Sequence, residues 1–121
     1  MRKDPMVKLV LEDWHERIQD TLFYARATCR SLGYALAVHG SLRRDVDVVA
    51  VPWTEKAAPI SQAMLATAVY DTLLRMDLAI GWGAPGEVGE AKPNGRHAWC
   101  IVLKGEPFLY LDLSVLPWSS G

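Results

Sequence analysis

Residues 34–53 read YALAVHGSLRRDVDVVAVPW, and this stretch decides the fold. Two apolar runs flank a short polar segment, and the second run has the β-branched content and the length of a strand. Because so few residues separate the runs, we expect two strands that are neighbours in one sheet. This pair of strands is the predicted centre of the domain.

Helical patterns lie on both sides of the strand pair. Apolar residues recur at steps of three and four from Val7 to Leu32, which is typical of a long amphipathic helix. Gly33 follows and can end this helix, because glycine tolerates the left-handed conformation. The same spacing from Ile60 to Met76 predicts a second helix.

The rest of the chain reads as β structure. We expect a short strand at LAIGW (78–82), a loop rich in glycine and proline at 83–95, and strands within 96–105 and 107–117 joined by a hairpin-sized connection. This order predicts one α+β domain over residues 1–121, with a mixed sheet of four to five strands and helices on one face.

Composition limits the classes of partner. Half of the 121 residues are apolar, which suffices for one core, and a net charge of −1 argues against strong nonspecific nucleic-acid binding. The N-terminus is a poor signal peptide, and no stretch approaches the ~20 apolar residues of a membrane span. We therefore expect a cytoplasmic protein without a membrane partner. Cys29 and Cys100 lack zinc-site spacing and are predicted to be buried thiols rather than a disulfide.

Two acids begin the second strand. Asp45 and Asp47 point to the same face, with ~6.6 Å between their α-carbons, since side chains alternate along a strand. Their mutual repulsion would be relieved by a hard cation such as Mg²⁺. Taken alone, such a pair is more often two solvated acids.

Neighbouring residues favour the metal interpretation. Gly40 lets backbone amides approach a phosphate, and the Ser41 hydroxyl can donate to it. In the run LYLDLSV (109–115), leucines alternate with polar residues, so Asp112 is expected on the polar face. If this strand neighbours that of Asp47, Asp112 is a metal ligand or the base that accepts the proton of an attacking hydroxyl.

The Gly-Ser turn, the acid-x-acid strand and the later strand-borne acid resemble the pattern of the nucleotidyltransferase superfamily, with its DNA polymerase beta-like fold. The segments HGSLRRDVDVVAVPWT, KPNGRHAWCIVL and YLDLSVLP are similar to small nucleotidyltransferase-like proteins of bacteriophages and prophages, over residues 33–118.

This resemblance implies a minimal nucleotidyltransferase fold and a transfer of a nucleoside monophosphate to a hydroxyl acceptor, which is a protein, an RNA or a small molecule. The donor is a nucleoside triphosphate, for which ATP is the expectation, and the cofactor is Mg²⁺ or Mn²⁺. On this basis Asp45, Asp47 and Asp112 are the catalytic and metal-binding residues, and Gly40 and Ser41 hold the phosphates.

Further candidates are weaker. Arg43, Arg44, Lys92 and Arg96 could bind the nucleotide, although arginines and lysines in loops are commonly solvated. His39 could assist at the phosphate or have a structural role. A base could stack on one of three tryptophans, Trp53, Trp82 or Trp99.

One departure from the family pattern motivates alternatives. Only Leu42, Arg43 and Arg44 separate the Gly-Ser pair from Asp45, where most members have a longer segment with a helical turn. The alternative is a catalytically inactive protein of phage origin that keeps the fold and engages a host protein. A third interpretation is an antitoxin-like transferase that modifies a partner toxin.

Overall fold

The structure, a computed structural model, describes residues 5–39, 45–81, 89–105 and 108–119. Within these ranges, one α-helix and two strands are followed by a second α-helix and three strands. The elements are α1 (Pro5–Ser31), β1 (Tyr34–His39), β2 (Asp45–Pro52), α2 (Gln62–Arg75), β3 (Glu90–Ala91), β4 (His97–Leu103) and β5 (Leu109–Val115).

The five strands form one mixed sheet in the order β1-β2-β5-β4-β3. Strands β2 and β5 run parallel, and the other neighbours are antiparallel. The predicted α+β class is confirmed, and so is the pairing of β1 with β2. The crossover between β2 and β5 contains α2, as expected for a parallel pair.

The sheet has two chemically different faces. On the covered face, alternate strand residues join the side chains of α1 and α2 in one core. Its strand members with at most 2 % exposure are Val46, Val48, Ala50, Ile101, Leu103, Leu109, Leu111, Leu113 and Val115. The open face carries the intervening residues, including His39, Asp45, Asp47, Ala98, Cys100, Val102, Tyr110, Asp112 and Ser114, which are half-buried or exposed.

Gly33 connects α1 to β1 as predicted. Its φ of 87° is in the left-handed region. Its carbonyl accepts backbone hydrogen bonds from Trp53 (2.8 Å) and Thr54 (3.1 Å), which follow β2. A β-carbon at this position would lie 2.5 Å from the backbone nitrogen of Ala57, so both conformation and space require glycine.

Helix α2 is fixed at its N-terminal end to the sheet. The Ser61 hydroxyl accepts a hydrogen bond from the backbone N–H of Met64 and caps the helix. The Gln62 amide donates to the carbonyl of Val115 at 2.7 Å, at the end of β5. These contacts set α2 across the parallel strand pair.

Two local expectations need revision. The strand predicted at LAIGW is a single bridge between Ala79 and Leu103, and Trp82 lies outside the described residues. The short strand β3 lies within the predicted loop and occupies the remaining edge of β4.

Among the described helices, none is long and apolar enough to cross a membrane.

The prediction for the cysteines was half right. Both are free thiols, and Cys29 is fully buried. Cys100 is exposed, because the alternation along β4 that buries Trp99 and Ile101 turns Cys100 to the open face.

Candidate functional site

Asp47 and Asp112 lie side by side on the open face. The parallel register of β2 and β5 makes the two residues direct partners, and their flanking residues, Val46 with Leu111 and Val48 with Leu113, are buried on the covered face. Direct partners in neighbouring strands point to the same side of a sheet. The predicted adjacency of the two acids is therefore confirmed.

The same register line continues across the sheet in both directions. Asp47 is the antiparallel partner of His39 in β1, and Asp112 is the antiparallel partner of Cys100 in β4. We call His39, Asp47, Asp112 and Cys100 the acidic row. Asp45 lies two residues before Asp47, on the same face, and is exposed. The open face therefore carries three carboxyl groups close together, two on β2 and one on β5.

Asp112 has an environment that disfavours its charge. Burial raises the pKa of its carboxyl group above the ordinary value, and so do a hydrogen bond to Asp47 and the negative charges of Asp45 and Asp47. A hydrogen bond from the thiol of Cys100 acts in the opposite direction and lowers this pKa. The net effect is a carboxyl group that holds its proton more readily than an isolated aspartate does.

The neighbouring acids also raise the pKa of the Cys100 thiol. Partial burial of this thiol, the charge of Asp112, the hydrogen bond to that carboxylate and the charge of Asp45 raise the pKa of Cys100 to about 11. The thiol is therefore protonated at neutral pH and donates to Asp112. The site presents two contacting carboxyl groups with a neutral donor on one side.

The donor set suits a hard divalent cation in chemical type. Carboxylate oxygens are the ligands that Mg²⁺ prefers, and Mg²⁺ is commonly held by one or two carboxylates together with substrate phosphates. Within the described ranges, no group of three or more His, Cys, Asp or Glu side chains is arranged so that it could hold a metal ion. The carboxyl groups available as metal ligands are the adjacent pair Asp47 and Asp112, with Asp45 beside them.

Neither a protein-family model nor a curated protein matches the chain. The chemistry of the acidic row is therefore inferred from its own residues and their contacts.

The predicted phosphate-binding segment lies outside the described residues. Gly40, Ser41, Arg43 and Arg44 all fall within residues 40–44. The described residues on either side of this segment are His39, which belongs to the acidic row, and Asp45, which lies two residues before Asp47. The interpretation of this segment as a phosphate cradle stays a prediction.

The register does not bring Lys92 and Arg96 beside the acids. Arg96 immediately precedes β4 and lies four residues before Cys100, or roughly 13 Å along the chain at ~3.3 Å per residue. Lys92 follows the edge strand β3, and its amino group is 3.2 Å from a carboxylate oxygen of Glu90. Their place in a glycine-rich loop makes these two cations candidates, but they lie towards the opposite end of the strands from Asp45.

The aromatic candidates also differ from expectation. Trp99 is 5 % exposed in the core, and Trp53 is 77 % exposed just beyond the far end of β2. The described aromatic side chain closest in register to the acids is Tyr110, the direct partner of Asp45 on the open face. The two-residue alternation of β4 and β5 could have placed Cys100 and Tyr110 on the face of Asp112, but the pairing register could not be read from the sequence.

Proposed function

We propose that the protein is a nucleotidyltransferase of the superfamily that its sequence pattern resembles. The observation that carries the proposal is the contact between Asp47 and Asp112 on the open face of the sheet, with Asp45 adjacent. Two carboxyl groups forced together in this way are stabilised when a cation replaces the shared proton.

In the proposed reaction, an acceptor hydroxyl attacks the α-phosphorus of a nucleoside triphosphate. A new oxygen–phosphorus bond forms, the bond to the bridging oxygen breaks, and pyrophosphate leaves. The hydroxyl proton passes to Asp112, the acid on β5 that lies beside Asp47 on the open face. Asp47 and Asp112, with Asp45 beside them, would hold Mg²⁺ or Mn²⁺ together with the substrate phosphates, and the ion when bound would supply the positive charge that neutralises those phosphates.

The remaining roles follow from position in the chain. Gly40 and Ser41 would hold the nucleotide phosphates, and Arg43 and Arg44 would neutralise the phosphate charge. ATP is the proposed donor. The acceptor is a hydroxyl group of a host protein, a toxin protein, an RNA or a small molecule.

The direct test is transfer of label from α-³²P-ATP to components of a bacterial lysate in the presence of Mn²⁺. Wild type is expected to transfer α-label but not γ-label, which separates nucleotidyl from phosphoryl transfer. Asp47→Ala is expected to reduce transfer at least about a hundredfold, since a metal-bound charge contributes several kcal/mol to the transition state.

A matched control is Asp71→Ala, which removes the same charge from the exposed surface of α2. Its transfer is expected to stay within about twofold of wild type, as for ordinary surface changes. Equal labelling by wild type and Asp47→Ala would remove the proposal.

A second candidate function is a catalytically inactive protein that engages a host protein. The observation that favours it lies on α1, where Phe23 is 67 % exposed and borders a surface hollow together with Arg26 and Arg30. An exposed aromatic ring beside arginines is common in protein interfaces. Calorimetry with ATP and Mg²⁺ separates the two candidates, because metal-dependent binding that disappears in an Asp45/Asp47 double variant contradicts the inactive protein.

A further inference from the structure

Cys100 contacts the acidic row from the side opposite to Asp47. It is the direct antiparallel partner of Asp112, so its thiol lies beside the Asp112 carboxyl group on the open face, within reach to donate to it. Asp112 is therefore held between two neighbouring strands, with a thiol donor on β4 and a carboxyl group on β2.

This arrangement constrains how the Asp112 carboxylate is turned. A carboxylate has two oxygens with about four lone-pair directions, and each hydrogen bond uses one of them. The thiol on β4 and the carboxyl group on β2 lie on opposite sides of the Asp112 side chain. The side chain of Asp112 is thus restrained from both sides rather than free to rotate on an exposed surface.

We propose that Cys100 is a positioning residue for the metal-binding carboxylates, in that its thiol keeps Asp112 oriented towards Asp47. The expected consequence of this positioning is tighter metal binding, and that consequence rests on the proposed function. Groups that hydrogen-bond to metal ligands fix their orientation, and their loss commonly weakens metal binding by about 10- to 100-fold.

The choice of residue type is consistent with this role. A donor at this position restrains a carboxylate, whereas a third acid would add repulsion to a cluster that already contains Asp45, Asp47 and Asp112. A thiol group can supply a donor without adding a charge to the cluster. Serine would supply a comparable donor, and alanine would supply none.

The experiment compares Cys100→Ser with Cys100→Ala in the full chain. Mn²⁺ affinity is measured by electron paramagnetic resonance of free Mn²⁺. We expect Cys100→Ala to weaken binding about tenfold or more and Cys100→Ser to stay within about threefold of wild type. Val102→Ala, a change on the same strand and face two residues away, is the matched control and is expected to leave the affinity unchanged.

A second measurement does not need the metal. Three-bond Hα–Hβ coupling constants of Asp112 report whether its side chain occupies one rotamer. We expect a single rotamer in wild type and in Cys100→Ser, and rotamer averaging in Cys100→Ala, all without added metal.

The outcomes are distinguishable. If Cys100→Ala keeps one Asp112 rotamer, or if Cys100→Ser loses metal binding as fully as Cys100→Ala, the positioning role is wrong. If wild type does not bind Mn²⁺ at all, the proposed function and the metal-binding consequence fail together, while the coupling constants still decide whether Cys100 orients Asp112.

Discussion

Two adjacent lines of residues cross the same three strands and differ in almost every property. On the covered face, Val46, Leu111 and Ile101 are direct partners and have no exposed surface. One residue further along, Asp47, Asp112 and Cys100 are direct partners on the open face.

The difference shows how a small domain combines stability with chemistry. Because successive side chains of a strand point to opposite faces, the same backbone positions both sets. Burial of the first set fixes the register, since a slip by one residue would turn the leucines to solvent and the aspartates into the core. The acids are therefore brought together by the packing of their apolar neighbours, against their own repulsion.

The largest expected effect comes from the covered face. Leu111→Ala removes a fully buried side chain next to Asp112 and should lower the free energy of unfolding by about 2–5 kcal/mol. Ser114→Ala, a half-buried position on the open face of the same strand, should change it by about 0.5 kcal/mol or less. Urea denaturation measures both, and comparable losses in the two variants would contradict the assignment of the core to one face.

A divalent cation should act on the open face alone. At a Mn²⁺ concentration of 100 times its dissociation constant, the folded protein gains about 2.7 kcal/mol of stability. Asp47→Asn should abolish this gain, whereas Asp71→Asn, on the exposed surface of α2, should retain it. Thermal unfolding with and without Mn²⁺ is the measurement, and an equal shift in the Asp47 variant would place the cation elsewhere.

The smallest effect concerns the charge of Asp112 without metal. Since its pKa is raised in the folded protein, its contribution to stability is fully present below the ordinary carboxyl pKa and is lost as the pH rises through the raised value. Asp112→Asn stays neutral at every pH. It should match wild type near pH 3 and exceed it at pH 7 by about 1 kcal/mol or less, because solvent screens a half-buried group.

Urea denaturation of wild type and Asp112→Asn at several pH values provides the check. A pH-independent difference would indicate that charge repulsion is not what separates the two proteins. The same variant should lose Mn²⁺ stabilisation, so that one substitution raises the stability of the metal-free protein and removes the proposed activity.

The local pattern of the chain was sufficient for much of this architecture. Apolar spacing predicted α1 and α2, and Gly33 was recognised as the end of α1 because only glycine readily adopts its left-handed conformation. Alternation in DVDVV and LYLDLSV placed Asp45 and Asp47 on one face and Asp112 on the polar side of its own strand. These features depend on residues close in sequence, and local geometry alone determines them.

Only the tertiary structure decided which strands are neighbours and in which register. The parallel pairing of β2 with β5, across the crossover that contains α2, set Asp47 beside Asp112 rather than one position away. The antiparallel pairing of β4 brought Cys100, predicted to be buried, against Asp112 and left Lys92 and Arg96 towards the far end of the strands. Such contacts result from packing the apolar faces of segments distant in sequence against one core, and no local pattern specifies how those segments meet.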